Sequence, residues 1–471
     1  MNGQTSEALL SLYDSARLRP RYWLSFSLLS LITVLEFFDF AIVAFLLAVL
    51  GPQWHLTYGQ SAVILYSGGV GAICGAVAWG SLSDAWGRKS QLVLGTFICG
   101  IAAGAIGLVP QGAWPVFAVL RFVVGFGLTA AVTPCLTLVV EITPTRFRTA
   151  VTSFYVVFAT AGALLASATS AALLAALGWR GVAMLGAATI PVGLAIALLV
   201  PESVRWLTAK GHFAEARAQV ARQLGLPLER VPLPSVRPVA PPTGSLAELY
   251  RNPKRFWETV IIWGGASTAA YGVYLWGPTI VSLLLGISVP AAAGYFVFVA
   301  GAGVAGKIVV SIVSPWMGRR SCGILWGFLA AASLAAAAYF SNTFVNGVPL
   351  LVVFLCCSTF GIDGSFSNLA PYTVEVFGVR LGARSSGLGQ AANGVGKIVG
   401  PLSLALIAGT GNIVSPHATA DAVLPAFMFL AFAMLCVGLS FSILGVETHG
   451  VPMALHGEAD GETEEQPAIV L

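Results

Sequence analysis

Glu36 and Asp39 stand three residues apart inside an uninterrupted apolar run, Tyr22 to Leu50. The run is long enough to cross a bilayer as one helix. A spacing of three puts both carboxylates on one face of that helix. A charged side chain near the bilayer centre costs at least about 2.5 kcal/mol. Two on one face are sustained where that face lines a wet cavity or meets buried cations. Two readings fit: a structural polar knot inside a helical bundle, or a site that takes up and releases protons or binds substrate.

Six ionisable residues fall inside apolar runs: Glu36, Asp39, Arg121, Lys307, Asp363 and Lys397. Three acids balance three bases, as a low-dielectric interior favours, because an unpaired buried charge is costly. Glu36, Asp39 and Asp363 are the candidates for proton coupling. Arg121 either holds Asp39 or Glu36 in a permanent salt bridge or makes the same contact switchably. In the second case, protonation of the acid frees the guanidinium for both oxygens of a substrate carboxylate.

Lys307 and Lys397 occur in the same tetrapeptide, Gly-Lys-Ile-Val. Aimed into one cavity, two ammonium groups attract an anion or require Asp363 between them. Lys307 can also snorkel to the interface, and Lys397 can be structural. Asp363 either neutralises a lysine or titrates as a second group. Tyr271 and Tyr274, i and i+3 ahead of Gly277-Pro278, offer rings to a planar substrate. Asn393 lies four residues before Lys397, on the same face, and can hydrogen-bond a ligand. Phe37, Phe38, Tyr155, Trp276, Phe366 and Tyr372 are further aromatics. For membrane aromatics a core or interface role is the commoner one.

The elements that must position these groups are membrane helices. The chain is 57% hydrophobic and 9% charged, with mean hydropathy +0.85, whereas soluble domains carry about 25% charged residues. Its apolar runs are continuous, not alternating, which excludes a barrel. The first run is too long for a signal-peptide core and lacks a small-residue cleavage site, so it is read as a helix. The seven cysteines form no CxxC pair and have no histidine cluster beside them; they read as packing residues. No nucleotide loop, metal set or nucleophile motif is present, so neither an enzyme nor a cofactor is expected, and a proton gradient is the expected drive. No basic patch interleaved with aromatics points to nucleic acid. Arginine outnumbers lysine and alanine is abundant, a composition expected of GC-rich bacterial DNA and hence of a bacterial inner membrane.

Taken in order, residues 1–21 are a polar N-terminal segment and 22–200 hold six apolar runs. Residues 201–255 form an arginine-rich linker, 256–446 hold six more runs, and 447–471 are an acidic tail expected to be disordered. Of the 24 Lys and Arg, twenty fall in the N-terminal segment, the linker, or the loops after helices 2, 4, 8 and 10. The positive-inside rule then puts both termini and the linker in the cytoplasm. An odd helix count would scatter these charges over both sides, so the pattern supports twelve.

The two halves echo each other. Gly80-x3-Asp84-x2-Gly87-Arg88-Lys89 follows helix 2, and Pro315-Trp316-Met317-Gly318-Arg319-Arg320 follows helix 8. Glu141-x2-Pro144-x3-Arg148 follows helix 4, and Glu375-x4-Arg380 follows helix 10. The Asp84 loop resembles the signature loop of the major facilitator superfamily, with Ala85 at its usual arginine. Pro201-Glu202-Ser203-Val204-Arg205-Trp206-Leu207 resembles the PESPRWL motif of the sugar-porter and organic-ion branches, and Val446-Glu447-Thr448-His449-Gly450 their terminal PETKG. Helix 8 ends Ser314-Pro315 where an aspartate is usual.

The resemblance implies an all-α membrane protein: twelve helices in two pseudo-symmetric six-helix bundles that rock about a midplane site. It implies that helices 8 and 11 line the central cavity. It also assigns Gly80, Asp84, Gly87, Arg88, Glu141 and Arg148 to gating, with Gly80 and Gly87 permitting close approach. Glu36-Phe37-Phe38-Asp39 is similar to the Asp-Gly-Phe/Tyr-Asp element of aromatic-acid:proton symporters. The stretch from Arg121 to Leu128, with Pro134 and Glu141, resembles their helix 4. Tyr271 to Pro278 is similar to helix 7 of niacin-type and synaptic-vesicle-type relatives, and the Gln-Leu-Ser of sugar specificity is absent.

The expected function is proton-coupled symport of a small organic anion, aromatic or otherwise, by a monomer in the lipid bilayer. Asp39 is the expected carrier, tuned by Glu36. Arg121, Lys307, Lys397, Tyr271, Tyr274 and Asn393 are the expected substrate groups. The alternatives are a transporter of a neutral solute such as a sugar, an exporter of an organic cation, and a non-transporting sensor.

Overall fold

The structure, a computed structural model, describes residues 6–15, 18–236 and 246–448. Eleven of its helices are long and apolar enough to cross a membrane. One of them, Val157–Leu199, runs 43 residues, about twice what a bilayer needs at about 1.5 Å per residue. Gly178 breaks it with φ +64° and ψ 175°, a conformation open essentially to glycine alone, and turns one apolar stretch into two crossings. Gly378, at φ +71° and ψ 174°, likewise separates Leu350–Gly378 from Arg380–Ala408, which are already two of the eleven.

Twelve crossings result. In the first half they are α1 Pro20–Gln53, α2 Tyr58–Trp86, α3 Arg88–Ile106, α4 Trp114–Ile142, α5 145–177 and α6 179–199. In the second they are α7 Pro253–Leu285, α8 Val289–Met317, α9 Arg319–Tyr339, α10 350–377, α11 379–408 and α12 Pro416–Ile443. Proline in the first turn starts α1, α4, α7, α8 and α12, where its missing N–H has no partner to lose.

Each half packs as its own bundle, with α2 and α3 against α4, α1 against α5, and α9 against α12. Small residues set the closest crossing. A Cβ on Gly125 of α4 would meet the Gly68 carbonyl oxygen of α2 at 1.9 Å, so only glycine lets these backbones touch. That contact seats Arg121, one turn earlier on α4, directly beside Gly68. The halves meet where α1 packs on α7 and α2 on α11.

At the end of the molecule away from the linker, chain segments join the halves. Thr57 and Ile413 form an antiparallel bridge. The amides of Tyr58 and Gly59 donate to the Asn412 and Thr410 carbonyls, and Tyr58 Oη lies 2.6 Å from Thr419 Oγ1.

Two terminal segments differ from the sequence reading. Within the polar segment 1–21, Ser6–Asp14 is an amphipathic helix. It buries Leu9 and Tyr13 against Leu207, Val220 and Leu224 of the linker helices Val204–Lys210 and Phe213–Leu224. At the other end, Glu447 and Thr448, the first two residues of the segment expected to be disordered, are bonded into the second bundle. Residues 449–471 lie outside the described residues.

Candidate functional site

The first cluster sits inside the N-terminal bundle. Glu36 and Asp39 share the inward face of α1 and are 0% and 2% exposed. Arg121 of α4, 2% exposed, reaches Asp39 Oδ2 at 3.0 Å and donates to the Asp39 carbonyl at 3.2 Å. Gly186 of α6 and Ala103 of α3 close over the Asp39 carboxylate. The face therefore meets a buried cation and does not line a wet cavity. Neither Glu36 oxygen has a hydrogen-bond donor among the described residues.

The second cluster belongs to the C-terminal bundle. Tyr274 of α7 donates its hydroxyl to Asp363 Oδ2 of α10 at 2.5 Å. Lys307 of α8 places Nζ 3.7 Å from Asp363 Oδ1. Gly303, one turn before Lys307, lies so close that a Cβ there would meet Asp363 Oδ2 at 2.2 Å. Asp363 is thus the counter-ion of Lys307.

Lys397 of α11 stands apart, with no carboxylate within ion-pair distance among the described residues. Its Nζ lies 5.5 Å from the Tyr271 ring centroid, within cation–π range. Tyr271 and Phe40 of α1 pack edge to face with centroids 5.2 Å apart, and the Lys397 Cβ lies against Gly69 of α2. Lys397 and Tyr271 therefore sit on the seam between the halves. Asn393, one turn away, accepts from Ser267 at 2.9 Å and donates to Gln390 at 3.1 Å. Of six interior charges, four form two pairs, one in each half. Glu36 and Lys397 are left single.

Several other aromatics are engaged structurally. Trp276 donates to the Pro401 carbonyl, Tyr372 to Glu258 Oε1, and Tyr155 bonds Thr33 and Cys135.

At the linker end the two halves carry matching devices. Gly87 and Gly318, with φ +94° and +85°, open α3 and α9. Glu202 accepts the amides of Arg88 and Lys89, both at 3.1 Å, and Glu447 those of Arg319 and Arg320 at 2.7 and 3.2 Å. A carboxylate here meets both the free N–H groups and the positive end of the helix. Arg88 lies 3.9 Å from Glu141, and Arg319 forks onto Glu375 at 3.1 and 3.3 Å. Ser314 accepts from Arg319 at 3.0 Å, so the second arrangement forms without the usual aspartate.

The close approach expected at Gly80 is not found: a Cβ there would meet nothing within 4 Å. At Gly87 it is found, against Glu202. The Asp84 side chain lies outside the described residues. Arg148 reaches Asp14 of the N-terminal helix at 3.4 Å, and Arg205 binds the same carboxylate at 2.7 Å. Asp14, Glu202 and Glu447 were not among the sequence candidates. The signals were the helical spacing of Leu9, Leu12 and Tyr13, and the lone acid in each of the two motif-like segments.

Twelve crossings in two matched bundles, with a charge pair in each and, among the described residues, a cation without an acid partner on the seam, are the architecture of a membrane transporter. The comparisons agree. The sequence profile of the Major Facilitator Superfamily matches residues 29–401, and the chain belongs to that family. It is 28% identical to the niacin transporter NiaP of Acinetobacter baylyi, over 88% of this chain and 91% of that one. It is 28% identical to a gallate transporter of Pseudomonas putida, over 71% and 76%. The inward-open structure of the xylose transporter XylE from E. coli superposes with TM-score 0.68 at 15% identity, covering 93% of this chain and 99% of that one.

Proposed function

We propose that this protein is a proton-coupled symporter that imports a small aromatic carboxylate across a bacterial inner membrane. Its linker and termini are cytoplasmic, and one chain forms the complete site. Lys397 carries the reading. An ammonium on the seam between two bundles, with no acid beside it among the described residues and an aromatic ring under it, suits a planar anion. The substrate's carboxylate neutralises Lys397 and its ring packs beside Tyr271, with Asn393 offering a polar edge. Niacin and gallate, named for two relatives, are both ring carboxylates. A sugar would leave Lys397 without a counter-ion, and an organic cation would be repelled by it.

For coupling, Asp39 is the carrier and Arg121 its partner. When Asp39 takes a proton, the charge pairing is lost and Arg121 keeps its hydrogen bond to the Asp39 backbone carbonyl on α1. Glu36, on the same face and unpaired, suits the neutral acid, since an ionised carboxylate buried without a partner is prohibitively costly. The reading is tested in proteoliposomes by imposing an inward pH gradient and measuring uptake of nicotinate, benzoates and xylose. Gradient-dependent accumulation of a ring carboxylate and none of xylose is expected. Equal uptake with and without the gradient would contradict it.

A further inference from the structure

A cavity of about 670 Å³ opens at the linker end of the N-terminal bundle, between α1, α6 and the linker helix Phe213–Leu224. It plays no part in the transport reading. Four cations line it: Arg19, Arg21, Lys89 and Arg222. None has a carboxylate within ion-pair distance among the described residues. Arg21 donates to the Arg222 carbonyl at 3.2 Å, and Arg19 lies against Gly225, the cap of that helix. A guanidinium has five donors, so these contacts leave most of them free. Of the acids at the cavity, Glu202 is held by the amides of Arg88, Lys89 and Ser203, and Glu215 is turned to solvent, its side chain 71% exposed.

The other wall is apolar and faces outward. Leu24 of α1 and Leu198 of α6 line the cavity yet are 46% and 73% exposed, and Trp23 beside them is 48% exposed. Aromatic residues in this position mark the level of the lipid headgroups. A soluble anion would use the cations and gain nothing from the leucines. A lipid phosphate with acyl chains attached uses both, because basic pockets at this depth match anionic headgroups.

We infer that this cavity is a binding site for an anionic phospholipid. Its phosphate sits among Arg19, Arg21, Lys89 and Arg222, and its chains run down the Leu24–Leu198 surface. An occupant held there ties the linker helices to the bilayer edge.

The test is native mass spectrometry of the delipidated full-length protein, titrated with phosphatidylglycerol or with phosphatidylcholine of the same chains. One tightly retained phosphatidylglycerol, preferred at least tenfold over phosphatidylcholine, is expected. Arg19→Ala/Arg21→Ala/Arg222→Ala, and separately the single reversal Arg222→Glu, should abolish that preference while thermal unfolding stays within a few degrees of wild type. Arg251→Ala/Lys254→Ala, which removes two exposed cations outside the cavity, at and just before the start of α7, should retain it. Equal loss in the control, or no preference in the wild type, would overturn the proposal. So would displacement of the lipid by equimolar glycerol 3-phosphate, which would assign the site to a free phosphate ester.

Discussion

Arg121 holds Asp39 at two points, the carboxylate at 3.0 Å and the backbone carbonyl at 3.2 Å, with both residues almost fully buried. On the proposed coupling, protonation of Asp39 would remove the charge pairing and spare the backbone contact, so α4 would stay registered on α1 while the Arg121 charge is released. Removing one partner of a buried pair leaves the other uncompensated, at about 3–5 kcal/mol. Arg121→Ala is therefore expected to destabilise the purified protein by that amount. Arg121→Gln/Asp39→Asn, which removes both charges, should cost distinctly less. Thermal unfolding of the two variants checks this; equal losses would show that the pair matters by packing alone.

The two lysines should behave oppositely on truncation. Lys307→Ala leaves Asp363 buried with only the Tyr274 hydroxyl, so stability should fall by a few kcal/mol. Lys397→Ala removes a charge that has no acid partner among the described residues, so stability should hold or rise. Affinity for a ring carboxylate should nonetheless drop about ten- to a hundredfold, the worth of a charged hydrogen bond. Calorimetric titration alongside thermal unfolding reads both quantities. Unchanged affinity in Lys397→Ala would make that residue structural.

Glu202 and Glu447 cap equivalent helices in equivalent ways, so Glu202→Ala and Glu447→Ala should each cost about 1–2 kcal/mol. Gly87→Ala and Gly318→Ala should each be destabilising as well, since both positions require positive φ and press on those carboxylates. Thermal unfolding measures all four. A large effect at one capping acid and none at the other would break the equivalence.

A single cysteine at Ala218, on the linker helix, in a background without the native cysteines, should resist an impermeant maleimide applied to intact cells. It should react after permeabilisation. Labelling from outside would reverse the orientation drawn from the charge distribution.

The number of crossings and the matched halves were legible because long apolar runs and loop charges carry them directly. Even the merged Val157–Leu199 helix divides at a glycine visible in the chain. Which charges pair was less legible. Helices that are apolar on every side do not announce which way they face, so nothing in the Gly-Lys-Ile-Val repeat told Lys307, beside Asp363, from Lys397, alone on the seam. The sealing of Asp39 depends on α3 and α6, which carry no charge at that depth. The Ser6–Asp14 helix was hidden by its shortness and by the polar residues around it.

The central claim is that Asp39 couples proton movement to substrate movement, and Asp39→Asn in proteoliposomes tests it most directly. Asparagine mimics the protonated carboxyl and keeps a polar group beside Arg121. The variant should exchange labelled for unlabelled ring carboxylate across the membrane at near wild-type rates, and should accumulate none when an inward pH gradient is the sole driving force. Accumulation against the substrate gradient by Asp39→Asn under that condition would contradict the account.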